Sequence, residues 1–191
     1  MTQVFDRDGK VTPVTLVQAG PCVVTQVKDA AANKYSAIQI GFGQRKNLTK
    51  PLKGHLKDLA QFRYLREFRV TAEVKLKRGD KVTSEIFKDG DRVKVIAFSK
   101  GKGYQGVVKR HNFGGHPSSH GHRHDERMPG STGARFPQHT RKGLRMAGRM
   151  GHDRVTRLTR IVKVDNQAGI IAIKGPLPGA TKTLVQIHTV E

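Results

Sequence analysis

The chain has 191 residues, with 36 Lys+Arg against 15 Asp+Glu, a formal net charge of +21 and one cysteine, Cys22. That length suits one ordinary domain or one and a half, and a lone cysteine excludes an internal disulfide framework and every multi-cysteine zinc module. A charge far beyond what solubility needs predicts an acidic partner, either nucleic acid or an anionic membrane surface.

The start, MTQVFDRDGK, lacks the apolar stretch of a secretory signal, and apolar runs such as Val95-Ile96-Ala97-Phe98 are too short to span a bilayer. These features predict a soluble protein of a reducing compartment. In chain order, Val11 to Gln18, Val23 to Lys28 and Ser36 to Phe42 gather β-branched residues between turn signals such as Asp8-Gly9 and Ala19-Gly20-Pro21, and read as strands. Lys53 to Phe62 is the one helix candidate, with Leu56, Leu59 and Ala60 on one face. Arg92 to Phe98 is a further strand, and Val155 to Val164, Gly169 to Lys174 and Thr183 to Val190 are again β-rich. Short strands at close spacing predict a barrel or sandwich rather than a βαβ sheet.

Between these flanks the composition changes. Residues 99–160 hold fourteen Lys+Arg against three acids, with eleven of the 21 glycines and seven of the nine histidines. Apolar side chains are sparse there, so the segment alone does not offset its chain entropy and is expected to be largely disordered when free. The economical reading is one β domain with a basic excursion inserted between its strands. If residues 110–154 ran out and back, each limb would reach on the order of 70 Å.

The excursion is built for phosphate. Its cations have almost no counter-charges, which a folded RNA would supply while releasing its own counterions. Arginine outnumbers lysine ten to four in 99–160, and its planar fork binds phosphate bidentately and stacks on bases. Tyr104, Phe113, Phe136 and the histidines are candidates for stacking on unpaired bases. A membrane role would call for an amphipathic apolar face or a lipid anchor, and neither is visible.

Other motifs carry less. Gly101-Lys102-Gly103-Tyr104-Gln105-Gly106 fits the dinucleotide fingerprint, but the following VVKRHNFGGHP shows no amphipathic helix to carry a pyrophosphate. His116, His120, His122 and His124 have ligand-capable imidazoles in a Gly/Ser/Pro-rich run, where RNA contact is the better use. Asp125 and Glu126 are expected to ion-pair with Arg123 and Arg127. No nucleophile constellation stands out, and Cys22 reads as a structural thiol.

The run from Phe98 to His111 (FSKGKGYQGVVKRH) closely resembles the signature of the universal large-subunit ribosomal protein L3 family, bacterial type. The likeness continues through Phe113-Gly114-Gly115, Ser119-His120-Gly121, Pro129-Gly130-Ser131, Met146-Ala147-Gly148 and Arg154-Val155-Thr156. Further landmarks are Met1 to Phe5, Ala19 to Cys22 and Lys174 to Ala180. Lys94 stands where the family commonly has Asp or Asn, and the tip at 133–138 is shorter than the common version, so no modification is carried over to Gln138.

The resemblance implies a mainly β protein: a translation-factor-like β-barrel with a small inserted α/β subdomain and a long irregular basic extension. The body would comprise 1–98 and 155–191, the subdomain 43–80, and the extension 99–154. The implied function is non-enzymatic: a structural constituent of the large ribosomal subunit that binds its rRNA, nucleates early assembly and braces rRNA near the peptidyl-transferase centre. The residues expected to bind rRNA are Lys100, Lys102, Lys109, Arg110, His111, Arg123, Arg135, Arg141, Lys142, Arg145, Arg149 and Arg154. Expected partners are rRNA and neighbouring ribosomal proteins, with no cofactor, metal, membrane or small-molecule substrate. The expected location is a cytoplasmic ribosome, with an organellar one left open as the alternative. On the residues alone two rivals remain, an assembly factor that leaves before the ribosome is mature and a dinucleotide-dependent enzyme using the glycine loop.

Overall fold

A computed structural model describes residues 1–5, 9–70 and 76–190. Asp8 of the expected Asp8-Gly9 turn, and residues 71–75 of the expected subdomain, lie outside the described residues. All seven expected strands form, with bounds shifted by two residues at most. They are β2 (Val11–Gln18), β3 (Cys22–Lys28), β4 (Ala37–Gln44), β7 (Arg92–Phe98), β10 (Arg154–Asp165), β11 (Ile170–Lys174) and β12 (Val185–Thr189). Around them lie β1 (Thr2–Phe5), β5 (Phe62–Arg69), β6 (Lys81–Val82), β8 (Gly103–Gln105) and β9 (Gly148–Met150), with short helices α1 (Ala30–Asn33), α2 (Lys50–His55) and α3 (Val107–His111). The chain is therefore mainly β, and among the described residues no helix is long and apolar enough to cross a membrane.

Two sheets organise most of it. The larger runs β1-β2-β11-β10-β7-β12 and the smaller β5-β4-β3-β6. Antiparallel registers such as Thr2↔Val14, Ile173↔Thr15 and Gly41↔Leu65 fix which side chains share a face. Pro13 lies just beyond the last β2–β11 pair, Val14↔Lys174, so its missing N–H costs that ladder nothing, and its carbonyl accepts from Gly175 N at 2.8 Å. Asp165 Oδ1 accepts the N–H groups of Gln167 and Ala168, each at 3.1 Å, closing the β10–β11 hairpin with an Asx turn. The core is Val93, Val95, Ile161, Ile171 and Ile173, all essentially buried, with Val17, Phe87, Leu177, Val185 and Ile187 packed against them.

The small sheet carries a polar chain. Lys28 Nζ donates to Glu67 Oε1 at 2.6 Å and to the Tyr35 hydroxyl at 3.0 Å, and Tyr35 donates to Glu67 Oε2 at 3.1 Å. Buried Thr25 donates to Gln39 Oε1 at 2.8 Å, and the His55 ring lies 2.7 Å from the same oxygen. On β4 the Phe62 ring covers Gly41 so closely that a Cβ there would come within 2.5 Å of it.

The expected helix over Lys53–Phe62 needs correction. The helix is α2, three residues earlier and shorter. Pro51 fits its first turn, Leu56 closes it as a buried cap, Asp58 turns left-handed at φ 70°, and Phe62 already opens β5.

The chain divides into two compact units, one of Met1–Val95, Thr156–Leu177 and Leu184–Glu191, the other of Ile96–Val155 and Pro178–Thr183. It enters the second unit within β7 and leaves it within β10.

Candidate nucleic-acid interface

The second unit begins where its outgoing and returning limbs are stitched together. Ser99 N donates to Asp153 O at 2.9 Å, Asp153 N to Ser99 Oγ at 3.0 Å, and Lys102 N to Met150 O at 2.9 Å. β8 then pairs antiparallel with β9, Gly103↔Met150 and Tyr104↔Arg149. Phe98 and His152 stack below this ladder, with ring centroids 5.1 Å apart and planes 14° apart. The two limbs meet closely because Gly151 has no side chain: a Cβ there would sit 2.3 Å from Lys100 O.

Beyond Gly106 the chain forms α3, five residues long and ended by Asn112 at φ 58°. The expectation that no helix follows the glycine loop is thus corrected. The dinucleotide reading still has no support, because this single turn is far shorter than the helix of that motif and the glycine run forms one strand of an antiparallel hairpin. Val107 anchors α3 by burial, while Lys109, Arg110 and His111 gather in its last turn, where cations meet the partial negative charge of the carbonyl end.

Two of these side chains turn inward. Arg110 Nη1 donates to Met146 O at 2.7 Å, and the His111 ring nitrogen lies 3.1 Å from the same oxygen. Arg110 also occupies the space a Cβ on Gly148 would need, its Nη1 being 2.6 Å from that point. Both residues, expected as RNA contacts, thereby hold the returning limb in place.

The remaining expected residues point to solvent. Lys100 and Lys102 lie at the root, Lys109 on α3, Arg123 in the turn before Asp125, and Arg135 through Arg145 in the irregular stretch. Arg149 is on β9 and Arg154 opens β10. All ten of these are exposed; Arg110 and His111 are half-buried. Among the described residues the only ion pair within 4.0 Å is Lys28–Glu67, so no cation of 99–154 has a carboxylate partner among them.

The expected pairing of Asp125 and Glu126 with Arg123 and Arg127 does not form. These acids serve through their backbone instead: Met128 N donates to Asp125 O at 3.0 Å and His116 N to Glu126 O at 3.0 Å, folding 116–128 back on itself. Within that fold His116 and His122 stack at 5.4 Å and 5°. Among the described residues no three or more His, Cys, Asp or Glu side chains gather in a way that could hold a metal ion. Arg135 lies over the Phe136 ring at 5.9 Å, leaving the ring largely exposed.

One feature escapes sequence reasoning. Tyr104, Val107, Pro129, Met146 and Ala147, with Arg127 and Thr132, line an open cleft of about 340 Å³. Its walls come from three separate segments, so only the fold brings them together. The one local hint is Tyr104, a large aromatic residue in a glycine-rich run.

A surface of this kind, cationic, glycine-rich and without acidic partners among the described residues, belongs to proteins that meet a polyanion, and comparison with known proteins gives the class: ribosomal proteins. Residues 66–174 match the family model described as "Ribosomal protein L3". The chain is 44% identical over 192 residues to the large ribosomal subunit protein uL3 of Herpetosiphon aurantiacus, covering 98% of this chain and 91% of the relative. It is 46% identical over 195 residues to the protein of that name from Streptomyces coelicolor (99% and 91% covered) and 47% identical to that from Acidothermus cellulolyticus (99% and 88%). The chain belongs to the ribosomal protein L3 family, whose members are structural proteins and not enzymes.

Proposed function

We propose that this chain is a structural constituent of the large ribosomal subunit that binds its rRNA, with 99–154 as the extension that threads rRNA towards the peptidyl-transferase centre. The observation that carries this reading is the set of ten exposed cations in 99–154 with no carboxylate of the described residues within ion-pairing distance. Such groups repel one another in the free chain and gain most when phosphates intervene, because counterions leave the RNA as they bind. In this reading the strands of 1–98 and 155–191 wrap as a translation-factor-like barrel, 43–80 is an inserted subdomain, and neighbouring ribosomal proteins pack on that body. Binding takes place early, in a cytoplasmic ribosome, and nucleates the folding of nearby rRNA.

The test is the salt dependence of binding to large-subunit rRNA. Removing one phosphate-binding guanidinium, as in Arg141→Ala or Arg145→Ala, flattens the slope of log affinity against log salt by about 0.7–0.9. An unchanged slope in the double variant removes these arginines from the interface. Retention of one copy per large subunit after a salt wash separates a structural component from an assembly factor that departs.

A further inference from the structure

The cleft at the base of α3 has a definite chemistry. Its lining is mostly apolar (Val107, Met146, Ala147 and Pro129), together with Tyr104, which exposes 77% of its surface, and Arg127. Tyr104 also lies directly opposite Arg149 on the hairpin, so a second guanidinium shares its face of the two-stranded ribbon. Among the described residues no carboxylate lines the cleft.

An exposed aromatic ring beside apolar side chains and near arginines suits an unstacked nucleobase. The ring stacks on Tyr104, its edge and sugar sit over apolar carbons, and its phosphate meets a guanidinium. The cleft is open, with about 340 Å³ of space, so a flat base can reach the Tyr104 ring from solvent. The surrounding charge selects RNA over an apolar peptide, because Arg127, Arg149 and nearby Lys102 have no acidic partners among the described residues. We propose that this cleft captures a single unpaired base extruded from the bound rRNA, with Tyr104 as its stacking platform. The proposal rests on the RNA-binding reading above and adds a base-specific contact to its phosphate contacts.

The experiment uses the full chain and a transcript of the 3′ domain of large-subunit rRNA, without other proteins. Ultraviolet crosslinking maps the contacted nucleotide, and affinity is measured across a salt series for wild type, Tyr104→Phe, Tyr104→Ala and Ala147→Leu. Tyr104 is exposed, so its truncation leaves the fold intact, while Ala147→Leu fills the cleft without removing the ring. The expected result is a crosslink from Tyr104 to one unpaired nucleotide. It persists in Tyr104→Phe, and is abolished in Tyr104→Ala with a fall in affinity of about 5- to 150-fold and an unchanged salt slope. Ala147→Leu weakens binding in the same way.

Wild-type affinity in Tyr104→Ala, or a Tyr104 crosslink that appears only when a neighbouring ribosomal protein is added, overturns the proposal and leaves the phosphate reading standing. A wild-type chain that binds this RNA with no salt dependence overturns both readings.

Discussion

At Gly151 the two limbs of the second unit come into close backbone contact, and replacing it with alanine tests how firmly they are joined. The residue sits at φ 76°, a left-handed conformation that costs an L side chain about 1–2 kcal/mol. The new Cβ would lie 2.3 Å from Lys100 O and 3.1 Å from Gly101 Cα, both backbone atoms with no rotamer to swing away. Restoring an ordinary carbon–oxygen contact of about 3.3 Å requires the limbs to part by roughly 1 Å. That carries the 2.9 Å Lys102 N–Met150 O bond beyond hydrogen-bonding range and removes about 1 kcal/mol. The sum is about 2–3 kcal/mol of local stability. Native-state hydrogen exchange of the Lys102 and Ser99 amides should accelerate about 30- to 150-fold, while the Ile171 and Ile173 amides in the other unit keep their protection. Gly101→Ala is the control, since a Cβ there meets only His152 Cβ, at 4.0 Å. Unchanged exchange at Lys102 in Gly151→Ala would refute the reasoning.

Ile173→Ala, at a fully buried site in the middle of the large sheet, should lower stability by about 2–5 kcal/mol in a urea titration, and a loss below about 1 kcal/mol would mean that the site collapses around the smaller residue. The small sheet should be sensitive to pH. The Lys28 ammonium and the Tyr35 hydroxyl bonded to Glu67 hold its carboxyl below the usual range, and the same carboxylate, followed by Tyr35, raises the Lys28 pKa. The Glu67 contribution is therefore full above the unfolded carboxyl value, about 4.3, and fades as pH falls through its lower folded value; that of Lys28 is full below about 10.4 and fades as pH rises through its higher folded value. Glu67→Gln should remove the acid-side decline assigned to this pair, and a stability–pH curve identical to wild type would show that the pair adds nothing beyond solvent-screened contact.

What could be read from sequence followed the side chains with strong local preferences. Runs such as VTPVTLVQ, RVKVIAF and IIAIK are dense in β-branched residues, which fit the half-buried pleat, and each forms where expected. FRYLREFR does not announce itself, because four charged residues interrupt it. Yet Phe62, Tyr64 and Phe68 hold the period of two that places them on one face. The helix lies earlier than Leu56, Leu59 and Ala60 suggest, because Pro51 and the left-handed Asp58 decide where the turn of helix fits.

In the basic segment, charge was legible and geometry was not. The cation count marks a polyanion-binding stretch, but it is the fold that turns Arg110 and His111 to Met146 O. The nearness of Arg123 and Arg127 to Asp125 and Glu126 in sequence suggested ion pairs, yet the backbone turns at 116–128 keep the charges apart. The Tyr104 cleft brings together three segments whose lining residues lie 14 to 43 positions apart, a separation that local pattern does not reach.

β10 and β7 are neighbours in the large sheet, and the chain departs through β7 and comes home through β10. The gap that the inserted stretch must bridge is therefore set by strand spacing, about 4.8 Å, whatever the stretch itself does. Closing such a loop depends only logarithmically on its length, so doubling the insert would cost the body no more than about 0.6 kcal/mol. Relatives are free to lengthen or trim this appendage to suit their own ribosomes while the scaffold that bears it keeps its stability.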